Sequence, residues 1–163
     1  MIIRQAREED VRAVSEIIVE GWQTAYRGII DGGFLDSLSV ESQYRRDIRR
    51  YDAYRVAADQ TGILGFAWNQ TLDSGDADCE IIALYVRSRE RRRGIGRALL
   101  QDAMDAFRKA GKRRMIIWCL RENLEARKFY EKTGGMVYRS GTHDWGGRTY
   151  DMISYLYPLA EQP

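Results

Sequence analysis

Apolar and polar residues follow one another along the chain in patterns that predict strands and amphipathic helices. A short apolar run at residues 2–3 indicates a strand. Over residues 7–22, apolar residues recur at helical intervals behind an acidic first turn. Residues 33–51 predict a second, more polar helix, with Ser39 placed as a cap ahead of its helical run. The chain therefore begins with a predicted strand and two helices.

The middle of the chain predicts three strands and the most strongly periodic helix. Two β-like runs, "YRVAAD" and "ILGFAWNQT", join around Thr61 and Gly62 as in an antiparallel hairpin. The run "CEIIALYV" is apolar enough for a central strand that is covered on both faces. From Ile95 to Ala110, apolar residues recur every three or four positions, and Gly111 follows as a C-terminal stop.

The last third predicts a buried strand, a helix and a final hairpin. The strand is "RRMIIWCL", and Asn123 is placed to cap the helix "LEARKFYEKT" that follows. The runs "MVYRS" and "YDMISYLY" flank "THDWGGR" and predict the hairpin. The predicted order is βααβββαβαββ, which is an α/β fold with a mixed central sheet.

Length and composition predict one soluble domain that spans residues 1–163. The chain is 44% hydrophobic and 31% charged, which is near the average for globular proteins. It has no apolar run long enough to cross a membrane and no signal-peptide pattern at its start, so we expect a cytoplasmic protein without a membrane partner. Cys79 and Cys119 lie in apolar runs without a metal-binding pattern, which indicates packed, reduced thiols and no metal site.

Positive charge is concentrated in one segment rather than spread over the chain. The formal net charge of +2 is too small for a typical nucleic-acid-binding domain. Six arginines between Arg87 and Arg97 must be solvated or face an anion. Gly94 and Gly96 lie where the strand passes into the helix, so free backbone N–H groups and the helix dipole would bind an anion there. The pattern matches neither the P-loop nor the dinucleotide fingerprint.

Two longer segments resemble one family. "LYVRSRERRRGIGRALL" resembles the acetyl-CoA-binding motif of the GCN5-related N-acetyltransferase (GNAT) superfamily, and "NLEARKFYEKTGG" resembles its second signature. The resemblance implies a mostly antiparallel sheet of six to seven strands, a splayed parallel pair in its middle and about four helices. It also implies acetyl-CoA as the cosubstrate and an amine as the acceptor. Many members of the family dimerise, and the aromatic final strand would offer an edge for pairing.

The resemblance also assigns cofactor contacts residue by residue. The backbone of Leu84, Tyr85 and Val86 would bind the pantetheine arm, and a backbone N–H near the end of that strand would stabilise the reacting oxygen. Asn123 would cap its helix and also reach the cofactor. The pyrophosphate would be held by the loop and the first helical turn, which contain Arg91, Arg92, Arg93, Gly94, Ile95, Gly96 and Arg97.

Two residues are candidates for catalysis, and each has a simpler alternative. Glu80 lies on the strand from which the family often draws a general base, and the alternative is a charged residue at the solvent-facing end of the strand. Tyr130 occupies the tyrosine of the "FYEK" signature, where it would stabilise or protonate the departing thiolate of coenzyme A. Its alternative is core packing beside Phe129.

The acceptor is less well determined by the sequence than the cofactor. Trp22 and Tyr26 follow the first helix and either line the acceptor pocket or belong to the core, and the same alternatives hold for Trp145. His143 is expected at the surface. We expect transfer to a small-molecule primary amine. The alternatives are a protein N-terminus or lysine, a non-catalytic module that senses acetyl-CoA, or an interaction or RNA-binding protein that uses the arginine cluster.

Overall fold

The computed structural model describes residues 1–73 and 75–159, which form one seven-stranded sheet with five helices. The strands are β1 (Ile2–Gln5), β2 (Tyr54–Asp59), β3 (Gly62–Thr71), β4 (Cys79–Val86), β5 (Arg114–Leu120), β6 (Met136–Trp145) and β7 (Arg148–Pro158). The helices are α1 (Val11–Ala25), α2 (Gly32–Ser37), α3 (Val40–Asp47), α4 (Ile95–Lys109) and α5 (Leu124–Lys132).

The sheet has the order β1-β2-β3-β4-β5-β7-β6, and its pairs are antiparallel except for β4 with β5. The parallel ladder holds three residue pairs, from Cys79 with Met115 to Ile81 with Ile117. Beyond it, β4 continues to Val86 beside β3, while β5 continues to Leu120 beside β7. The two central strands therefore separate, which confirms the predicted mixed sheet with a splayed parallel pair.

A bulge in β4 divides the strand between two cores. Ile81 pairs with Asn69 and Ala83 pairs with Trp68, so Ile82 is an extra residue. Before the bulge, Ile81 packs in the core under α4 and α5. After it, Tyr85 packs instead with the core under α1. One extra residue reverses the alternation of side chains along a strand. Ile81 and Tyr85, which would otherwise share a face, therefore lie on opposite sides of the sheet.

The predicted second helix is wrong, because two helices, α2 and α3, replace it. Leu38 between them is extended, with φ −67° and ψ 132°. The Asp31 carboxylate accepts a hydrogen bond from the Phe34 backbone N–H at 3.0 Å, and the Ser39 hydroxyl accepts one from that of Ser42 at 3.2 Å. Each helix thus has its own N-cap. The predicted cap at Ser39 is confirmed, and the chain has one helix more than predicted.

The predicted pairing edge is also wrong. β7 lies between β5 and β6, so the edge at this end of the sheet is β6.

Cys79 and Cys119 are buried, free thiols, as expected. No helix in residues 1–73 and 75–159 is long and apolar enough to cross a membrane. The same residues contain no cluster of His, Cys, Asp or Glu side chains that could hold a metal ion.

Candidate active site

A cavity of about 640 Å³ opens where β4 and β5 separate. One end lies at the arginine-rich loop before α4, where the sequence predicts the cofactor, and is therefore called the cofactor half. The other end, the acceptor half, lies among side chains of α1, β5 and the β6–β7 hairpin. The lining of the whole cavity includes Trp22, Tyr26, Glu80, Leu84, Tyr85, Val86, Arg91, Arg92, Gly94, Ile95, Gly96, Arg97, Trp118, Cys119, Asn123, Phe129, Tyr130, His143 and Trp145.

The loop at the start of α4 presents free backbone donors. Gly94 has φ +80° and precedes the helix, and Arg92 also has a positive φ of 62°. The N–H of Ala98 bonds the carbonyl of Gly94 at 3.0 Å. The preceding N–H groups, those of Ile95, Gly96 and Arg97, therefore have no partner within the helix. Together with the helix dipole, these donors can bind an anion.

The glycine inside the first turn of α4 keeps the gap between β4 and α5 open. A Cβ on Gly96 would lie 3.6 Å from Cγ2 of Val86 and 3.6 Å from Cζ of Phe129. These are ordinary van der Waals distances, so the backbone alone would tolerate a side chain. A side chain at residue 96 would, however, fill the passage between the loop and the separated strands.

The arginines of the segment do not act as one patch. Arg91, Arg92 and Arg97 line the cavity, and the structure places no Arg93 side chain in its lining. Arg93 instead forms an ion pair with Glu90, as does Arg89. Arg87 lies apart from them and donates to the carbonyl oxygen of Ile63 at 2.9 Å and to Glu16 at 3.2 Å.

The separated part of β4 has one free edge. Leu84, Tyr85 and Val86 pair with β3, and their other edge faces the gap because the ladder with β5 ends at Ile81. Asn123, across the gap, caps α5 by accepting a hydrogen bond from the Ala126 backbone N–H at 3.1 Å. Its predicted capping role is therefore confirmed.

Tyr130 lies on the α5 wall of the cavity and is 7% exposed. The Tyr157 hydroxyl donates to its carbonyl oxygen at 2.9 Å, which fixes the end of the helix. Burial raises the pKa of Tyr130 well above that of an ordinary tyrosine, and the nearby Cys119 and Tyr85 raise it further. The neighbouring Cys119 thiol also lines the cavity, and burial raises its pKa to about 11.

Glu80 lies on the acceptor side of the sheet. Its carboxylate accepts a hydrogen bond from Gln70 Nε2 at 2.8 Å. It pairs in register with Ile116, so it shares a face with Trp118 two residues further along β5. The carboxylate is partly exposed and borders the cavity.

Two tyrosines connect α1 to β4 at the acceptor half. The hydroxyl oxygens of Tyr26 and Tyr85 lie 2.8 Å apart in a hydrogen bond. Burial raises the pKa of each, so both remain neutral. A Cβ on Gly21 would lie 2.9 Å from Tyr85, so the close approach of α1 to this ring needs a glycine. Trp22 and Tyr26 also pack against a small core, so both alternatives raised from the sequence apply to them.

The β6–β7 hairpin packs on α2 and closes the acceptor half on that side. The backbone N–H of Asp31 donates to the Tyr150 hydroxyl at 3.0 Å, and its carboxylate pairs with Arg148 at 3.2 Å. Gly146 has φ +57°, and a Cβ there would lie 2.7 Å from the Phe34 ring. The hairpin tip therefore fits closely against α2.

Known acetyltransferases are similar to this chain in sequence and in fold. Residues 19–135 match the acetyltransferase (GNAT) family. The chain belongs to the GNAT family. An uncharacterized N-acetyltransferase of Bacillus subtilis is 30% identical over 125 residues, which are 74% of this chain and 72% of that protein. A spermidine N(1)-acetyltransferase of Thermoplasma acidophilum is 26% identical over 148 residues, 83% of this chain and 88% of that one.

A solved GNAT structure has the same fold. The PaiA N-acetyltransferase from Thermoplasma acidophilum, crystallised with coenzyme A, has a TM-score of 0.74 at 23% identity, with 96% of this chain and 98% of that chain covered. The predicted family and fold are confirmed. As a GNAT protein, this chain is an acetyltransferase that uses acetyl-CoA as its cosubstrate.

The sequence alone does not predict several of the residues that line this GNAT cavity. The sequence predicts Trp118 and Cys119 only as parts of a buried strand, yet they point to opposite sides of β5 and both line the cavity. His143 is exposed as expected, but it also lines the cavity with its ring centroid 4.2 Å from that of Trp145. The alternation along "MIIWCL" is the signal that separates Trp118 from Ile117 and Cys119.

Proposed function

We propose that this chain transfers the acetyl group of acetyl-CoA to the primary amine of a small molecule, by direct attack while both substrates are bound. The observation that carries the proposal is the gap between β4 and β5, which joins an anion-binding loop to an acceptor half in one cavity. Such a cavity can hold a thioester and an amine next to each other without a covalent relay.

The cofactor half has the groups that coenzyme A needs. The free N–H groups of Ile95, Gly96 and Arg97 suit the pyrophosphate, and Arg92 and Arg97 add charge-assisted contacts. The free edge of β4 at Leu84 and Val86 suits the amides of the pantetheine arm. When bound there, acetyl-CoA supplies the activated acyl group.

Glu80 is the proposed general base. An alkyl ammonium has a pKa of roughly 10.4 and must lose a proton before it attacks. Gln70 holds the Glu80 carboxylate on the acceptor face, where it can take that proton directly or through one water molecule. The exposure of the carboxylate lets the proton pass to solvent afterwards.

Tyr130 is the proposed donor to the departing thiolate. Its raised pKa keeps it neutral and able to donate a hydrogen bond. With unperturbed values, full proton transfer to a thiolate of pKa ~8.5 would cost about 2 kcal/mol. Burial raises the pKa of the neighbouring Cys119 thiol to about 11. The coenzyme A thiol, if it is bound in the same environment, should also have a higher pKa than in water. That effect acts in the opposite direction to the higher pKa of Tyr130.

The closed acceptor half favours a small molecule over a protein side chain. α2 and the β6–β7 hairpin are joined by the contacts of Asp31 with Tyr150 and Arg148, so a folded surface has little access from that side. A relative that matches over most of this chain acts on spermidine, which agrees with a small amine.

A direct test is release of the coenzyme A thiol from acetyl-CoA with a panel of alkyl amines, amino acids and peptides with free N-termini. We expect turnover with small amines and none with peptides. Tight cofactor binding without turnover on any acceptor would instead support a sensor, and turnover on peptides alone would contradict the small-molecule assignment.

A further inference from the structure

We propose that the acceptor half binds an amine that carries a second positively charged group, and that this group lies against the rings of Trp118, Trp145 and Trp22. The inference rests on the proposed function and names the class of acceptor. It follows from the free aromatic surface of the cavity and from the distribution of charge along its lining.

Trp118 is a large ring on the wall of the cavity. It projects from β5 on the side opposite to Ile117 and Cys119, is partly exposed and lines the cavity. It lies outside the hydrophobic core clusters found among the described residues. A Cβ on Gly141 would lie 3.2 Å from the ring, so the missing side chain on β6 gives the indole its place.

Other rings of the acceptor half meet at steep angles. The rings of Trp22 and Trp145 are 5.3 Å apart at 88°, and those of Trp22 and Tyr26 are 4.9 Å apart at 76°. Each of these rings is partly exposed and borders the cavity. Aromatic walls that face a cavity from several directions are suited to an ammonium group, because each ring face is electron-rich.

Charge along the lining favours a cation at this end. The lining arginines Arg91, Arg92 and Arg97 all belong to the loop and first turn of α4, at the cofactor half. The lining has three carboxylates. Glu90 and Glu125 form ion pairs with arginines of the loop before α4, so Glu80 is the one lining carboxylate without an ion pair among the residues that the structure describes. A carboxylate or phosphate on the acceptor would find no lysine or arginine among the described lining residues there, whereas an ammonium group finds a carboxylate and aromatic faces.

The test compares acceptors of equal length and different charge. The cationic probe is (4-aminobutyl)trimethylammonium, its neutral isostere is 5,5-dimethylhexylamine, and the anionic probe is 5-aminopentanoate. Dissociation constants are measured by calorimetry on protein saturated with coenzyme A, and turnover is measured with acetyl-CoA. We expect the cation to bind at least about tenfold more tightly than the neutral isostere, and the anion to bind most weakly.

Variants assign the preference to the rings. Trp118→Leu keeps an apolar side chain but removes the π face, so the preference should fall below about threefold, and Trp118→Phe should retain most of it. Gly141→Ala should also reduce it, because the added methyl displaces the Trp118 ring. The matched control is Trp68→Leu, which removes a partly exposed indole outside the cavity lining, covered by Arg50 at 4.1 Å.

The outcomes separate this inference from the proposed function. Equal or tighter binding of the neutral isostere or the anion overturns the inference, as does a preference that Trp118→Leu leaves unchanged. If the amines turn over without a preference for the cation, the inference fails and the proposed function stands. If the cation binds preferentially and no amine turns over, the inference stands and the proposed function fails.

Discussion

Tyr130 illustrates how burial sets the chemistry of a single residue. The sequence places a tyrosine in a helix, and its hydroxyl alone has a pKa near 10. Only packing against the cavity wall beside Cys119 raises that pKa, because the charged form loses its hydration. The same burial keeps Tyr130 protonated at neutral pH.

Removal of the Tyr130 hydroxyl should slow the chemical step. We expect Tyr130→Phe to lower kcat about tenfold or more with little change in cofactor affinity, because the proposed contact with the departing thiolate would be made mainly in the transition state. Steady-state kinetics and calorimetry with coenzyme A measure the two effects. Since the pKa of Tyr130 is raised, its titration should cause no loss of activity below about pH 10.

The control for this variant is Tyr155→Phe. That hydroxyl bonds Arg127 at 3.1 Å and Glu131 at 2.8 Å and does not border the cavity. Its removal should change stability more than kcat. A Tyr130→Phe enzyme with the turnover of the wild type would leave this residue a packing role only.

At the level of elements, the segment from β4 into α4 shows how a local sequence forms a candidate binding site. Gly94 starts the helix from a left-handed conformation and Gly96 keeps the space beside Val86 open. The bulge in β4, by contrast, depends on pairing with β3 across the sheet. The sequence of β4 alone contains no sign of it.

A side chain at Gly96 should block the cofactor without unfolding the protein. We expect Gly96→Val to weaken coenzyme A binding at least about tenfold, since the side chain fills the gap between Val86 and Phe129. The free energy of unfolding should change by less than about 1 kcal/mol, because valine is no worse than glycine in a helix. Gln101→Val, on the exposed face of α4, is the matched control. Unchanged affinity would refute the anion site at this turn.

The hairpin tip allows a second comparison of neighbouring glycines. A Cβ on Gly147 has nothing within 4 Å, so Gly147→Ala should cost about 1–2 kcal/mol for its positive φ alone. Gly146→Ala adds a clash with Phe34 and should cost about 1–3 kcal/mol more. Urea unfolding measures both. Because the tip also covers the acceptor half, only Gly146→Ala should raise KM for the amine, and equal effects of the two variants would argue against that contact.

The whole molecule couples cofactor binding to stability, because the cavity is formed by elements from both halves of the sheet. At a hundred times its dissociation constant, coenzyme A should stabilise the fold by about 2.7 kcal/mol. For a chain of this length, that corresponds to a rise in Tm of about 5–11 °C. Scanning calorimetry measures it. Pantetheine at the same concentration lacks the pyrophosphate and should give a much smaller shift, and equal shifts would contradict the assigned role of the loop.

Local patterns along the chain were sufficient to predict most elements and to single out the loop before α4 that borders the cavity. Periodicity located α4, alternation located the strands, and the arginine and glycine residues before α4 indicated an anion site, because the donors there belong to one continuous segment. The break at Leu38 was missed because the apolar and polar pattern continues across it. There, two caps and an extended residue outweigh helical spacing.

The acceptor half was decided by tertiary structure. Trp22, Trp118 and Trp145 come from a helix, a central strand and a hairpin, and nothing local to any of them indicates that their rings share one cavity. Their positions depend on the bulge in β4, on the separation of β4 from β5 and on the close approaches at Gly141 and Gly146. Donors that belong to one segment can be recognised from its sequence, whereas a cavity wall assembled from distant segments depends on the packing that brings them together.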